Sequence, residues 1–119
     1  MRQDLKQRTK AFALRIIRLF AALPRSPEAQ VLGKQLLRSG TAVGAHEREA
    51  FRGRSDAEFI SKIETALQEL DETVYWLELL AEAGIVPAER LHDLLGEADE
   101  LIAIFVTTVK RTKQRRGKG

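Results

Sequence analysis

An all-α fold, an up-and-down antiparallel four-helix bundle that assembles as a homo-oligomeric ring, is what the sequence predicts. Apolar residues recur at spacings of three and four through four segments. Proline, glycine and serine-led caps separate those segments by only a few residues. No stretch alternates with the period of two that a half-buried strand needs. At 119 residues the chain fits one domain, 1–119, and can bury a real core.

The first series, Leu5, Phe12, Ile16, Leu19, Phe20 and Leu23, predicts a helix over 3–23 that Pro24 stops. Ser26 followed by Pro27 reads as an N-cap with proline at the first helical position, where its missing N–H costs nothing. The second helix, 27–50, carries Val31, Leu32, Leu36, Ser39, Val43 and Ala50. Phe51-Arg52-Gly53-Arg54 breaks the period, and Ser55-Asp56-Ala57-Glu58 reads as a capping box in which Glu58 reaches back to the Ser55 N–H. The third helix, 56–83, follows with Phe59, Ile63, Leu67, Leu70, Val74, Leu77 and Ala81, and Gly84 is placed for a left-handed cap. The fourth, 87–112, runs through Leu91, Leu94, Leu95, Ala98, Leu101, Ile102, Phe105 and Val109. Beyond it the periodicity ends, and a frayed basic tail is expected over 113–119.

Helices two to four would be roughly 35–42 Å long at ~1.5 Å per residue. Joined by so few residues, neighbours must run antiparallel. The third and fourth helices are apolar on more sides than one seam covers. Tyr75, Trp76, Leu79 and Leu80 crowd the turns that Val74, Leu77 and Ala81 already fill, and Ile104 and Val106 flank Phe105. These broad faces suit either the wide contact arc of a bundle helix or a second interface with another copy of the chain.

Composition narrows the partners. Hydrophobic residues make up 44% and charged residues 31%, as in an ordinary folded soluble protein. The absence of cysteine excludes a disulfide framework and a thiolate metal site, and fits a reducing cytoplasm. Met1-Arg2-Gln3-Asp4 lacks the apolar stretch of an export signal, and no apolar run approaches the ~18 residues of a membrane span. The net charge of +3 conceals segregation: residues 1–55 carry a balance of +8, residues 56–100 of −11 and residues 101–119 of +6. A basic flank of one subunit docked on an acidic flank of the next would be a heterologous contact, which closes into a ring if its rotation permits.

No catalytic or metal-binding set emerges. Glu89-Arg90-Leu91-His92 has the Glu-x-x-His spacing of di-iron bundles, but the second such pair is missing, and His92 reads as a surface residue. His46-Glu47-Arg48-Glu49-Ala50 starts like a zinc-protease helix and has alanine where the second histidine must be. Gly40-Thr41-Ala42-Val43-Gly44 lacks the Gly-Lys-Ser/Thr ending of a phosphate loop; with Ser39 and Ala45 its small residues predict close helix approach instead. No nucleophile and base stand together, so an enzyme is not expected and no cofactor is implied.

In an up-and-down bundle, three basic clusters meet at one end. Arg2, Lys6, Arg8 and Lys10 come from the start of the first helix, and Arg48, Arg52 and Arg54 from the second connection. Lys110, Arg111, Lys113, Arg115, Arg116 and Lys118 come from the end of the fourth helix. They are diluted by Asp4, Glu47, Glu49, Asp56 and Glu58, with Phe51 as the aromatic nearby. Such a patch attracts phosphates in a salt-sensitive way. Cations at a helix C-terminus also simply favour its dipole, and a basic tail solubilises.

Several segments carry a family resemblance. They are Gln35-Leu36-Leu37-Arg38-Ser39-Gly40-Thr41-Ala42-Val43-Gly44-Ala45, Glu49-Ala50, Arg54-Ser55, Glu58-Phe59-Ile60-Ser61-Lys62 and Glu72-Thr73-Val74-Tyr75-Trp76-Leu77-Glu78-Leu79-Leu80. The chain resembles the "four helix bundle protein" family, also called the 23S ribosomal RNA intervening-sequence protein family. The resemblance implies an up-and-down bundle forming a homopentameric ring, with no established enzymatic activity. A related branch is the accessory variability protein of diversity-generating retroelements, a basic pentamer that binds nucleic acid and a reverse transcriptase. The sequence departs from the family pattern at Ala42, usually serine, at His46, usually asparagine, and at Glu47, often aromatic.

The sequence thus predicts a cytoplasmic, non-enzymatic homo-oligomer, a pentamer by resemblance, that binds RNA or DNA. The expected nucleic-acid contacts are Arg52, Arg54, Lys110, Arg111, Lys113, Arg115 and Arg116. Tyr75, Trp76, Leu79, Ile104 and Val106 are the expected oligomer interface. The alternative is an adaptor that recruits a protein partner and uses its charges for self-assembly.

Overall fold

The caps predicted from the sequence start two of the helices. In the computed structural model, which describes residues 2–118, the Ser26 hydroxyl accepts the Ala29 N–H at 3.4 Å and opens a helix with Pro27 at its first position. The Ser55 hydroxyl accepts the Glu58 N–H at 3.1 Å. Glu58, however, reaches past Ser55 and accepts the Arg54 N–H at 3.3 Å, which ties the preceding connection to the helix start. Gly84, at φ 73°, supplies the left-handed cap: its N–H donates to the Ala81 carbonyl and the Ile85 N–H to the Leu80 carbonyl.

Four helices result, α1 (Arg2–Ala21), α2 (Pro27–Phe51), α3 (Asp56–Glu82) and α4 (Ala88–Lys118), with no strand among the described residues. The termini lie within two residues of expectation except the end of α4, which continues to Lys118 instead of fraying after Thr112. Lys113, Gln114, Arg115 and Arg116 are all good helix formers, so the helix outlasts its apolar stripe. Gly119 lies outside the described residues.

Helices of this length in a body measuring 53 × 21 × 21 Å must lie along its long axis, and the short connections make successive helices antiparallel. α2 packs between α1 and α3, and α3 between α2 and α4, whereas α1 and α4 meet only sparingly. The core runs the length of the bundle through Phe12, Ile16, Leu36, Val43, Ile63, Leu70, Leu77, Leu101 and Phe105. Val31, expected in the core stripe, is instead 63% exposed on the outer side of α2.

The small residues of α2 do what their size predicts. Gly33 faces Phe20 of α1 and Leu23 just beyond it, and Gly40 and Gly44 face Ile16 and Thr9 of α1, at distances a methyl group could not share without displacement. Ser39, on the other flank, is buried and accepts the Thr73 hydroxyl of α3 at 2.8 Å. α2 is therefore the central helix, gripping α1 by close backbone approach and α3 through a buried hydroxyl pair.

Candidate nucleic-acid interface

The α2–α3 connection is short and breaks at Gly53, so the first turn of α3 lies against the last turn of α2. The Gly53 N–H donates to the Ala50 carbonyl, and Phe51 meets Phe59 edge to face, with ring centroids 5.0 Å apart and planes at 81°. The C-terminal part of α4 runs alongside. Between these parts lies a cleft of about 510 Å³, lined by Phe51, Gly53, Arg54, Ser55, Asp56, Phe59, Thr108, Arg111, Thr112 and Arg115 among others.

Three of the seven expected nucleic-acid contacts, Arg54, Arg111 and Arg115, thus line one cleft. Arg52, Lys110 and Arg116 are exposed close to them in sequence but do not line it. Two of the seven are engaged within the chain. The Arg115 guanidinium donates to Asp56 at 3.2 Å, and the Lys113 ammonium to Glu64 at 3.4 Å. Both pairs are well exposed, a setting in which such pairs contribute little. Arg54 and Arg111 have no carboxylate partner among the described residues.

The other expected members of the basic end divide. Arg8 turns away to α4, donating to Glu97 through two nitrogens at 2.7 and 3.0 Å and to Glu100 at 3.1 Å. Hydrogen bonding to Glu97 foremost, with Glu100 adding to it against a partial loss from burial, raises this guanidinium above its ordinary value. Lys10 and Arg48 line a separate groove of about 370 Å³ between α1 and α2. The side chains of Arg2 and Lys118 lie outside the described residues. Of the acids expected to dilute the patch, Glu47 is fully buried and engaged by a neighbouring group, and Glu49 is drawn to His46 at 2.9 Å and Lys62 at 3.8 Å.

Sequence reading named Asp56 at this end but missed the aromatic wall that α3 supplies. Phe59 and Asp56 face the cleft from the start of that helix, and Phe59 gives Phe51 an aromatic partner. Their signal was present as two phenylalanines eight positions apart across a glycine break.

The five expected interface residues differ in exposure. Tyr75 is 53% exposed and Val106 50%, whereas Trp76, Leu79 and Ile104 are half-buried within the single chain. Ile104 and Val106 are two positions apart, so at ~100° per residue they occupy opposite flanks of α4. Ile104 lies in a hollow with Ala103, Thr107, Thr108 and Arg111. Tyr75 and Trp76 stack edge to face at 5.1 Å, and the buried Trp76 Nε1–H meets no acceptor among the described residues.

His92 is exposed at the start of α4. No group of three or more histidine, aspartate or glutamate side chains among the described residues could hold a metal ion. No described helix is long and apolar enough to cross a membrane.

Comparison with known proteins places this architecture. No curated protein matches the chain. A crystal structure at 1.70 Å of a protein of unknown function from the S23 ribosomal protein family of Bacteroides thetaiotaomicron VPI-5482 is 36% identical. It superposes with a TM-score of 0.87 over 92% of this chain and 99% of that one. Residues 1–107 match the family described as 23S rRNA-intervening sequence protein, a span that takes in α1, α2, α3 and α4 as far as Thr107. The chain belongs to the 23S rRNA-intervening sequence protein family.

Proposed function

We propose that this protein is a non-enzymatic, cytoplasmic homo-oligomer that binds nucleic acid through the basic end of its bundle. The observation that carries the reading is the cleft where Arg54 and Arg111, without carboxylate partners among the described residues, stand beside Arg115 and close to the exposed Lys110 and Arg116. Guanidinium groups so placed suit phosphate, and the absence of fixed counter-charges on two of them keeps them available to a polyanion. In a homopentamer, five such ends on one face would multiply avidity for a long strand. Self-association has its own support in the exposed Tyr75 and Val106 and in the opposite charges of the two halves of the bundle.

The second reading is an adaptor that recruits a protein and spends its charges on assembly. Arg8 and Arg38 favour it, since both basic helices already use arginine to hold acidic ones. Fluorescence anisotropy separates the two. Structured RNA, single-stranded RNA and duplex DNA are titrated at about 50 and 200 mM salt. Nucleic-acid binding predicts an affinity that falls by at least an order of magnitude over that range. Joint replacement of Arg52, Arg54, Arg111 and Arg115 by alanine should abolish it and leave the oligomer intact in sedimentation. An oligomer that dissociates on that replacement, with no binding by the unaltered protein at the lower salt, establishes the adaptor reading instead.

A further inference from the structure

The cleft between α4 and the α2–α3 connection carries more positive charge than the chain itself uses there. Arg111 and Arg115 stand four positions apart and so share a face of α4, and Arg54 lines the same cleft from the connection before α3. Three arginines against the one carboxylate of Asp56 leave the lining with two positive charges. Arg115 is paired with Asp56 at 3.2 Å, whereas Arg54 and Arg111 have no carboxylate partner among the described residues. Ser55 adds a further donor: its oxygen accepts the Glu58 N–H, which leaves its own proton to donate.

Resting on the proposed function, we infer that the cleft takes the terminal phosphate of a nucleic-acid strand. A phosphate at a strand end is a monoester, with three free oxygens and nearly two negative charges at neutral pH. A phosphate within a strand is a diester, with two free oxygens, one negative charge and a sugar on either side. The monoester matches the net charge of the lining, and its third oxygen gives the third guanidinium an acceptor. A recess bounded by three parts of the chain admits a group carried on one ester bond, where an internal phosphate would have to bring two sugars in with it. At about 510 Å³ the cleft has the size of small-molecule sites, enough for a phosphate and the nucleotide that carries it. The Arg115–Asp56 pair can exchange partners as the phosphate enters, because a pair this exposed holds weakly.

The test uses oligodeoxythymidylate of about ten nucleotides, labelled with fluorescein at its 3′ end and carrying either a phosphate or a hydroxyl at its 5′ end, at about 50 mM salt. The phosphorylated strand should bind the unaltered protein about tenfold tighter, the order that an added charge-assisted hydrogen bond supplies. Arg111→Gln should remove most of that preference. Lys110→Gln, at an exposed neighbour that does not line the cleft, should weaken both strands alike and leave the preference standing. If the two strands bind equally, the strand-end site is wrong and a non-selective phosphate surface remains. If unlabelled thymidine 5′-monophosphate competes as tightly as the phosphorylated strand binds, the cleft holds a free nucleotide and its assignment to a strand is overturned. If neither strand binds, the proposed function falls with it. The comparison of the two strands needs no variant, so it decides the matter even if Arg111→Gln fails to fold.

Discussion

At the scale of single residues, two glycines in helix interiors have opposite meanings. A methyl group on Gly40 would lie 2.8 Å from Ile16 Cγ1 and 2.9 Å from Cγ2, inside a closed contact between α1 and α2. Ile16 is fully buried and has little room to give. Gly40→Ala should therefore destabilise the protein by about 1–3 kcal/mol. Gly96 in α4 meets nothing within 4 Å of such a methyl, so Gly96→Ala should stabilise by about 0.5–1 kcal/mol through helix propensity alone. Urea midpoints moving in opposite directions would check both. The sequence foretold close packing at Gly40 from the density of small residues around it. What it could not indicate was the neighbour, since the register of α1 on α2 is set by three separate fits at Gly33, Gly40 and Gly44.

At the scale of helices, caps and stripes were legible and the pairing of charges was not. Ser26, Ser55 and Gly84 act within a few residues of chain, and each does so where local chemistry requires. The partners of Arg115, Lys113 and Arg8 are 59, 49 and 89 positions away, and depend on how far one helix slides along the next. The expected interface residues differ in burial for a related reason: an apolar run counts side chains without assigning them to flanks. One cross-helix cluster has a measurable consequence. Arg38 of α2 donates to Glu72 at 2.9 Å and to Glu69 at 3.2 Å. Hydrogen bonding with Glu69, then with Arg38, holds the Glu72 carboxyl below its ordinary value of 4.5. A lowered carboxyl stabilises the fold fully above that value and loses its effect as pH falls through the depressed one. Glu72→Gln should therefore lower Tm near neutral pH, and the difference from the unaltered protein should close as pH drops below 4.5. A gap that persists in acid would detach the effect from the carboxylate.

For the whole molecule, segregated charge becomes two kinds of surface. Part of the basic excess of α1 and α2 is consumed internally, by Arg8 on α4 and Arg38 on α3, while the excess at the end of α4 stays largely in solvent. Three sides of the bundle are closed by helices adjacent in the chain, and the fourth, between α1 and α4, is the sparse one, spanned by Arg8. That sparse side has a kinetic meaning. Contacts between sequence neighbours form without closing long loops, so the chain has the topology of a fast folder, in the microsecond-to-millisecond range typical of helical bundles. The α1–α4 seam joins segments far apart in the chain, so its contacts are expected to form after the rate-limiting step. Arg8→Ala should leave the folding limb of a stopped-flow chevron where it is and raise the unfolding rate by roughly two- to fivefold. The seam that adds least to the architecture then acts as a latch that lengthens the life of the folded state.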